Sequence, residues 1–184
     1  MDEVKAYVEG RLKLLVNQDK SKVAPLPECD FLGFNIRGKK LKRTEKSIRR
    51  FKLRIEEITA RSRGISMKQR LVELKRYCVG WFDYFKIGLR YKEVREWDAW
   101  IRRRIRLCYW KDWKRPRKRG RMLIKLGISP GEVKKASRSR KGYWRMSRNS
   151  LVSIALNNTY LAEQGVPSLR ELWVDFKYGE KAKV

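Results

Sequence analysis

The sequence contains no histidine, only three cysteines and no long apolar run. Without histidine, zinc sites of the Cys/His type, HNH-type nuclease sites and Ser-His or Cys-His catalysis are excluded. Cys29, Cys78 and Cys108 form no C-x-x-C pair. Cys78 and Cys108 fall on apolar helix faces, where a free thiol acts as a small hydrophobe. Neither a metal nor a cofactor is expected. No stretch approaches the ~20 apolar residues that a membrane span needs. The start Met1-Asp2-Glu3-Val4 lacks the basic residues and apolar core of a secretory signal. A soluble, cytoplasmic protein with no membrane partner is expected.

Acidic charge is scarce as well. The 184 residues hold 48 Lys and Arg against 20 Asp and Glu, a formal charge of +28. Self-repulsion on that scale calls for an anionic partner. The charge is unevenly placed. Residues 1–36 carry 5 basic and 6 acidic residues, and residues 37–63 carry 12 and 3. Residues 64–99 carry 8 and 5, residues 100–148 carry 19 and 2, and residues 149–184 carry 4 and 4. Two basic blocks separated by amphipathic helix suggest a surface that tracks a polyanion backbone.

Periodicity gives the elements. Residues 3–16 read as a helix with Val4, Val8, Leu12 and Leu15 near one face, ended by the polar stretch from Asn17 to Ser21. Pro25 and Pro27 force an extended path. Phe31, Leu32, Phe34 and Ile36 read as a strand around Gly33. Arg37-Gly38-Lys39 suits a tight turn, with a returning strand over Lys40 to Arg43. Thr44 begins a helix with Ile48, Phe51, Ile55 and Ile58 inward, closed at Arg63-Gly64. Ser66 and Gln69 form a capping-box pattern for a third helix, with Leu71, Leu74, Cys78, Trp81, Phe82 and Phe85 as its stripe. Gly80 inside it suggests close approach of another helix. A fourth helix, about 92–113, turns Val94, Trp97, Ile101, Ile105 and Cys108 inward. Arg103, Arg106, Trp110 and Trp113 share its opposite side. Pro116 is expected to end it, with a basic linker over Arg115 to Arg121 and one helical turn at Met122 to Leu126. Ser129-Pro130 starts a short helix to Ser137. Tyr143-Trp144 follows, then helices at about 149–164 and 168–178, split by Gly165 and Pro167.

Taken in order, these segments resemble the group II intron-encoded proteins, which combine a reverse transcriptase with a maturase. Phe31-Leu32-Gly33-Phe34, after the Leu12-to-Asn17 helix end, is similar to the last palm segment. Ser47 to Pro116 resembles the maturase-specific domain. It includes Gly80-Trp81-Phe82-Asp83-Tyr84-Phe85, Trp97-Asp98-Ala99-Trp100-Ile101-Arg102-Arg103-Arg104 and Trp110-Lys111-Asp112-Trp113-Lys114-Arg115-Pro116. Asn158 to Leu169 resembles the C-terminus of many bacterial members. The family's polymerase site is a Tyr/Phe-Ala-Asp-Asp turn, and this sequence contains no Asp-Asp pair. It starts, on this reading, shortly after that turn. The paired carboxylates that two-metal polymerisation needs are absent from it, so no catalytic residue is assigned.

The resemblance implies a mainly α fold. A palm remnant of helix and β-hairpin over 1–43 precedes a three-helix thumb over 44–116 and a basic helical region over 117–184. It implies binding of structured group II intron RNA to assist splicing. The alternative is the thumb of a split or truncated reverse transcriptase, gripping a template–primer duplex or target DNA beside a palm-and-fingers segment encoded upstream. A general nucleic-acid-binding protein is the third reading. The RNA-binding candidates are Arg102, Arg103, Arg104, Arg106, Lys111, Lys114, Arg115, Arg117, Lys118, Arg119 and Arg121, with Arg50 and Arg54 in the earlier block. Arg suits this role because its guanidinium forks onto phosphate and stacks on bases. Trp110 and Trp113 are expected to pack in the core, with stacking on unpaired bases as the alternative. Asp83 and Asp98 are expected to pair with nearby arginines.

Overall fold

The computed structural model of the protein describes residues 2–17, 21, 23–38 and 40–179. It is mainly helical with one small antiparallel sheet, the class the sequence implied. The chain divides into two compact units, with the boundary between Thr44 and Glu45.

The first unit holds helix α1 (Asp2–Gly10) and strands β1 (Asp30–Phe31), β2 (Phe34–Arg37) and β3 (Lys40–Arg43). The expected helix over 3–16 stops at Gly10, a poor helix former, and Lys13 then takes a left-handed φ of 54°. Leu12 and Leu15 are therefore outside the helix, and both are exposed. Residues 18–20 of the polar stretch, and Lys39 of the expected turn, lie outside the described residues. The single strand expected around Gly33 is two strands. Leu32 and Gly33 have φ of 50° and 82°, the two positive values that a type I′ hairpin turn demands. The sheet runs β1-β2-β3, with Phe31 opposite Phe34 and Phe34 opposite Arg43. Asn35 donates its side-chain amide to the Pro27 carbonyl at 2.8 Å, tying β2 to the preceding turn.

The second unit begins with α2 (Glu45–Ile58), α3 (Met67–Phe85) and α4 (Tyr91–Asp112). Their apolar stripes meet in an aromatic cluster. Phe51 stacks on Trp81 with centroids 4.0 Å apart, and Trp97 meets Trp81 edge-on at 5.6 Å. Ser66 caps α3 by accepting from the Gln69 backbone N–H, as its sequence pattern indicated. The end of α2 comes five residues earlier than expected, at Ile58. The Thr59 hydroxyl donates to the Ile55 carbonyl at 2.6 Å. Arg70, itself buried, donates to the carbonyls of Ile58 and Ala60. These side chains satisfy the orphan carbonyls of the last turn, so no glycine is needed there. Gly64, with φ of 69°, serves the link to α3 instead. Gly80 admits no close neighbour: a Cβ there would meet nothing within 4 Å.

Six further helices follow: α5 (Pro116–Lys125), α6 (Pro130–Ser137), α7 (Tyr143–Met146), α8 (Ser150–Ala155), α9 (Asn158–Glu163) and α10 (Leu169–Tyr178). The basic stretch expected as a linker is helix from Pro116 on, with Arg115 as its extended N-cap. Pro116 opens α5 at its first position, where the missing N–H costs nothing. Met122 to Lys125 continue the same helix. Gly120 lets α5 lie close to α6, since a Cβ there would stand 3.4 Å from Val133 Cγ1. The helix expected over 149–164 is broken between α8 and α9. Asn157 accepts from the Tyr160 N–H at 2.8 Å and starts a new helix.

These later helices share one core with the first three. The buried cluster runs from Phe51 to Leu169 and includes Trp110, Trp113, Leu123, Met146, Val152 and Leu161. Helix α4 is consequently apolar on two faces over its last turns, as befits a core helix.

Candidate nucleic-acid interface

Packing on both faces of α4 sorts its arginines. Arg102 forms an ion pair with buried Asp98, Nη1 to Oδ2 at 2.6 Å, and Asp98 Oδ1 accepts the Leu169 N–H at the start of α10. Arg103 donates to Ser147 Oγ at 3.3 Å and to the Trp144 carbonyl at 3.2 Å. Arg104 reaches back to α2, donating to Thr59 Oγ1 at 2.6 Å and to the Glu56 carbonyl and carboxylate at 3.3 Å. Arg106 donates to the Leu156 carbonyl at 2.9 Å, in the break between α8 and α9. Burial holds Arg103, Arg104 and Arg106 below the ordinary guanidinium pKa, with Arg148 adding to the effect at Arg103 and Arg102 at Arg106. Arg102 also donates to Ser168 Oγ at 3.4 Å, so each of the four bridges α4 to another part of the chain.

Arg119 is also turned inward. It is 9% exposed, with its guanidinium 4.7 Å above the Trp110 ring. Trp110 and Trp113 are 0% and 2% exposed, which removes base stacking and leaves core packing. Asp98 pairs with an arginine as expected, while Asp83 pairs with Lys86 at 3.3 Å. Cys78 and Cys108 are buried, and burial pushes the Cys78 thiol up to about 12 and Cys108 upward. Both are inert small hydrophobes.

The remaining candidates face water. Lys114, Arg115, Arg117 and Arg121 are exposed and meet no acidic group among the described residues. Lys118 touches Asp112 at 3.3 Å, an exposed pair that water weakens. Lys111 and Lys114 line a cleft of about 200 Å³ with Arg61 and Arg70. Arg117 and Arg121 of α5 face Lys134 of α6 and Arg138 just past its end across a groove of about 460 Å³. In the earlier block Arg50 is exposed, while Arg54 is engaged by Glu57 at 2.8 Å and Glu73 at 3.1 Å.

Lys134, Arg138, Arg140, Lys141, Arg145 and Arg148 extend this cationic surface beyond the candidates named from sequence. The signal that could have found them is an absence. Between Asp112 and Glu163 the sequence has a single carboxylate, Glu132, and that one accepts from Ser129 Oγ at 2.6 Å. Among the described residues no three His, Cys, Asp or Glu residues cluster as metal ligands would, and no helix is long and apolar enough to cross a membrane.

The fold and surface define a strongly basic, mainly α protein built round a three-helix bundle. Residues 48–125, spanning α2 to α5, match the family of the group II intron maturase-specific domain. Over that stretch the chain is similar to the maturase-specific domain of group II intron proteins. No curated protein matches the chain.

Proposed function

We propose that this protein binds structured group II intron RNA and helps it reach its splicing-active shape. The observation that carries the reading is the cationic surface of α5, α6 and α7, nearly free of carboxylates, attached to a maturase-specific domain. The outward set Lys111, Lys114, Arg115, Arg117, Lys118 and Arg121 lies against RNA phosphates, joined by Arg50. Arg102, Arg103, Arg104, Arg106 and Arg119 hold the surface in shape from beneath. Positive charge between packed RNA helices offsets their phosphate repulsion, and counterion release supplies the affinity. No protein-borne chemistry is required.

The test is binding and splicing of a group II intron transcript in low Mg²⁺, with a plain RNA duplex as competitor. Preferential binding of the intron, with faster splicing, is expected. Equal affinity for both RNAs with no gain in splicing would reduce the protein to a general polyanion binder.

The exposed edge at β1 favours a second reading, a reverse transcriptase thumb completed by another polypeptide. Phe31 and Leu32 there are 73% and 65% exposed. The chain alone should not extend a primed template, since its 184 residues hold no Asp-Asp pair. Extension only after mixing with a separate palm-and-fingers polypeptide would select this second reading.

A further inference from the structure

Trp144 differs from the other six tryptophans in being exposed, at 39% of its surface. It sits at the start of α7, just after the cations Arg140 and Lys141 and beside Arg145 and Arg148. One face of its ring is covered: the Arg103 guanidinium carbon lies 3.6 Å from the ring centroid. That guanidinium is itself fixed by Ser147 Oγ and the Trp144 carbonyl, and Ser147 Oγ also donates to this carbonyl at 2.7 Å. Among the described residues no second ring or cation stacks on it, and 39% of its surface meets water. A bulky aromatic held by a fixed guanidinium on one face and exposed over much of its surface is preorganised for stacking.

Charge points the same way. Arg140, Lys141, Arg145 and Arg148 are exposed and form no ion pair among the described residues. Arg148 stands close enough to Arg103 to push its guanidinium pKa down further. Unpaired cations within four residues of an exposed tryptophan fit a ligand that is anionic along its backbone and flat in its bases. A duplex cannot use such a face, because its bases already stack on their neighbours and show only their edges.

We propose that Trp144, backed by Arg103 and flanked in the chain by Arg140, Lys141, Arg145 and Arg148, is a stacking site for an unpaired base of single-stranded nucleic acid. This rests on the nucleic-acid reading above and names the state of the strand bound here. The guanidinium beneath polarises the indole and fixes its tilt, and the surrounding cations take the flanking phosphates. RNA and DNA share this chemistry, so both are tested.

The experiment measures fluorescence anisotropy of the full chain with labelled oligo(U) RNA, oligo(dT) and an RNA duplex. Trp144→Ala should weaken binding of a single strand by about fivefold or more, the worth of one base–aromatic stack. Duplex affinity and salt slope should stay within about twofold, since no phosphate contact is removed. Trp144→Tyr should restore most of the loss. A Trp144→Ala effect of that size on either single strand supports the site. Equal losses for single strand and duplex, or a Tyr variant as weak as the Ala variant, would make Trp144 a structural buttress and overturn it. Should Trp144→Ala fail to fold, 5-iodouracil RNA is crosslinked to the unaltered chain and the adduct mapped by mass spectrometry. A crosslink at Trp144 supports the site, and crosslinks confined to other residues overturn it. Absence of binding to all three nucleic acids would sink the proposed function as well, whereas strong duplex binding with no Trp144 effect sinks this inference alone.

Discussion

Two sets of arginines and lysines should respond to neutralisation in opposite ways. The first is Arg117, Arg121, Lys134 and Arg138, which line the groove between α5 and α6. The second is Arg104 and Arg106, whose guanidinium groups are bonded to Thr59, Glu56 and Leu156. Replacing the first set with Gln removes up to four phosphate contacts. Each contact contributes about 0.9 to the logarithmic salt slope on a duplex. With about six contacts, the wild type loses roughly a thousandfold in affinity between 50 and 200 mM salt, and the variant only about tenfold. Its melting temperature should hold, because exposed substitutions cost within about 0.5 kcal/mol. The second set behaves otherwise. Gln at 104 and 106 strips donors from partly buried carbonyls and the Thr59 hydroxyl, at about 1–3 kcal/mol per site. A combined loss near 3 kcal/mol lowers the melting temperature by about 10 °C for a unit of this size. Circular dichroism melts without RNA and anisotropy titrations across salt read the two effects separately. A groove variant that keeps the full slope, or a tether variant that melts normally while its slope collapses, would refute the assignment.

Trp110→Ala should destabilise the second unit by about 3–5 kcal/mol in urea, because it empties a fully buried site and unseats Arg119; a loss below about 1 kcal/mol would mean the site is not core. Asp98→Ala should cost about 3 kcal/mol, since it leaves Arg102 and the Leu169 N–H without their acceptor. Burial raises the Asp98 carboxyl above its usual range against the pull of Arg102. The native state then takes up this proton before the unfolded state does. Wild type should therefore gain on Asp98→Asn as pH falls through the native pKa, reaching a plateau below the unfolded value; a gap that narrows on acidification would show that the ion pair outweighs desolvation. Gly80→Ala should stabilise by roughly 0.5–1 kcal/mol, read as a higher urea midpoint at constant slope, because the added methyl meets open space inside a helix; destabilisation would reveal a packing demand at that position.

Local chemistry alone determined much of this protein. The stripes Ile48-Phe51-Ile55-Ile58 and Leu71-Leu74-Cys78 fixed two helices and their inner faces, since a period of 3.6 admits few other arrangements. Ser66, Ser129-Pro130 and the Gly165-Pro167 break were legible because caps and breakers act within a turn of their own position. The excess of Lys and Arg over 100–148, and the maturase-like segments, were equally plain in one dimension. Tertiary structure decided which charges are free. Arg103 and Arg106 read as an outer face as long as only the first bundle packed on α4. The later helices cover that face and convert Arg103 and Arg106 into tethers for Ser147 and Leu156, while Arg104 reaches Thr59 at the end of α2 and Arg102 pairs with Asp98 of α4 itself. The same covering buried Trp110 and Trp113 and left Trp144 outside. A helix's own period records that two sides differ, but whether the second side meets water or another helix depends on residues 44 to 71 positions away, joined to it only by the folded chain.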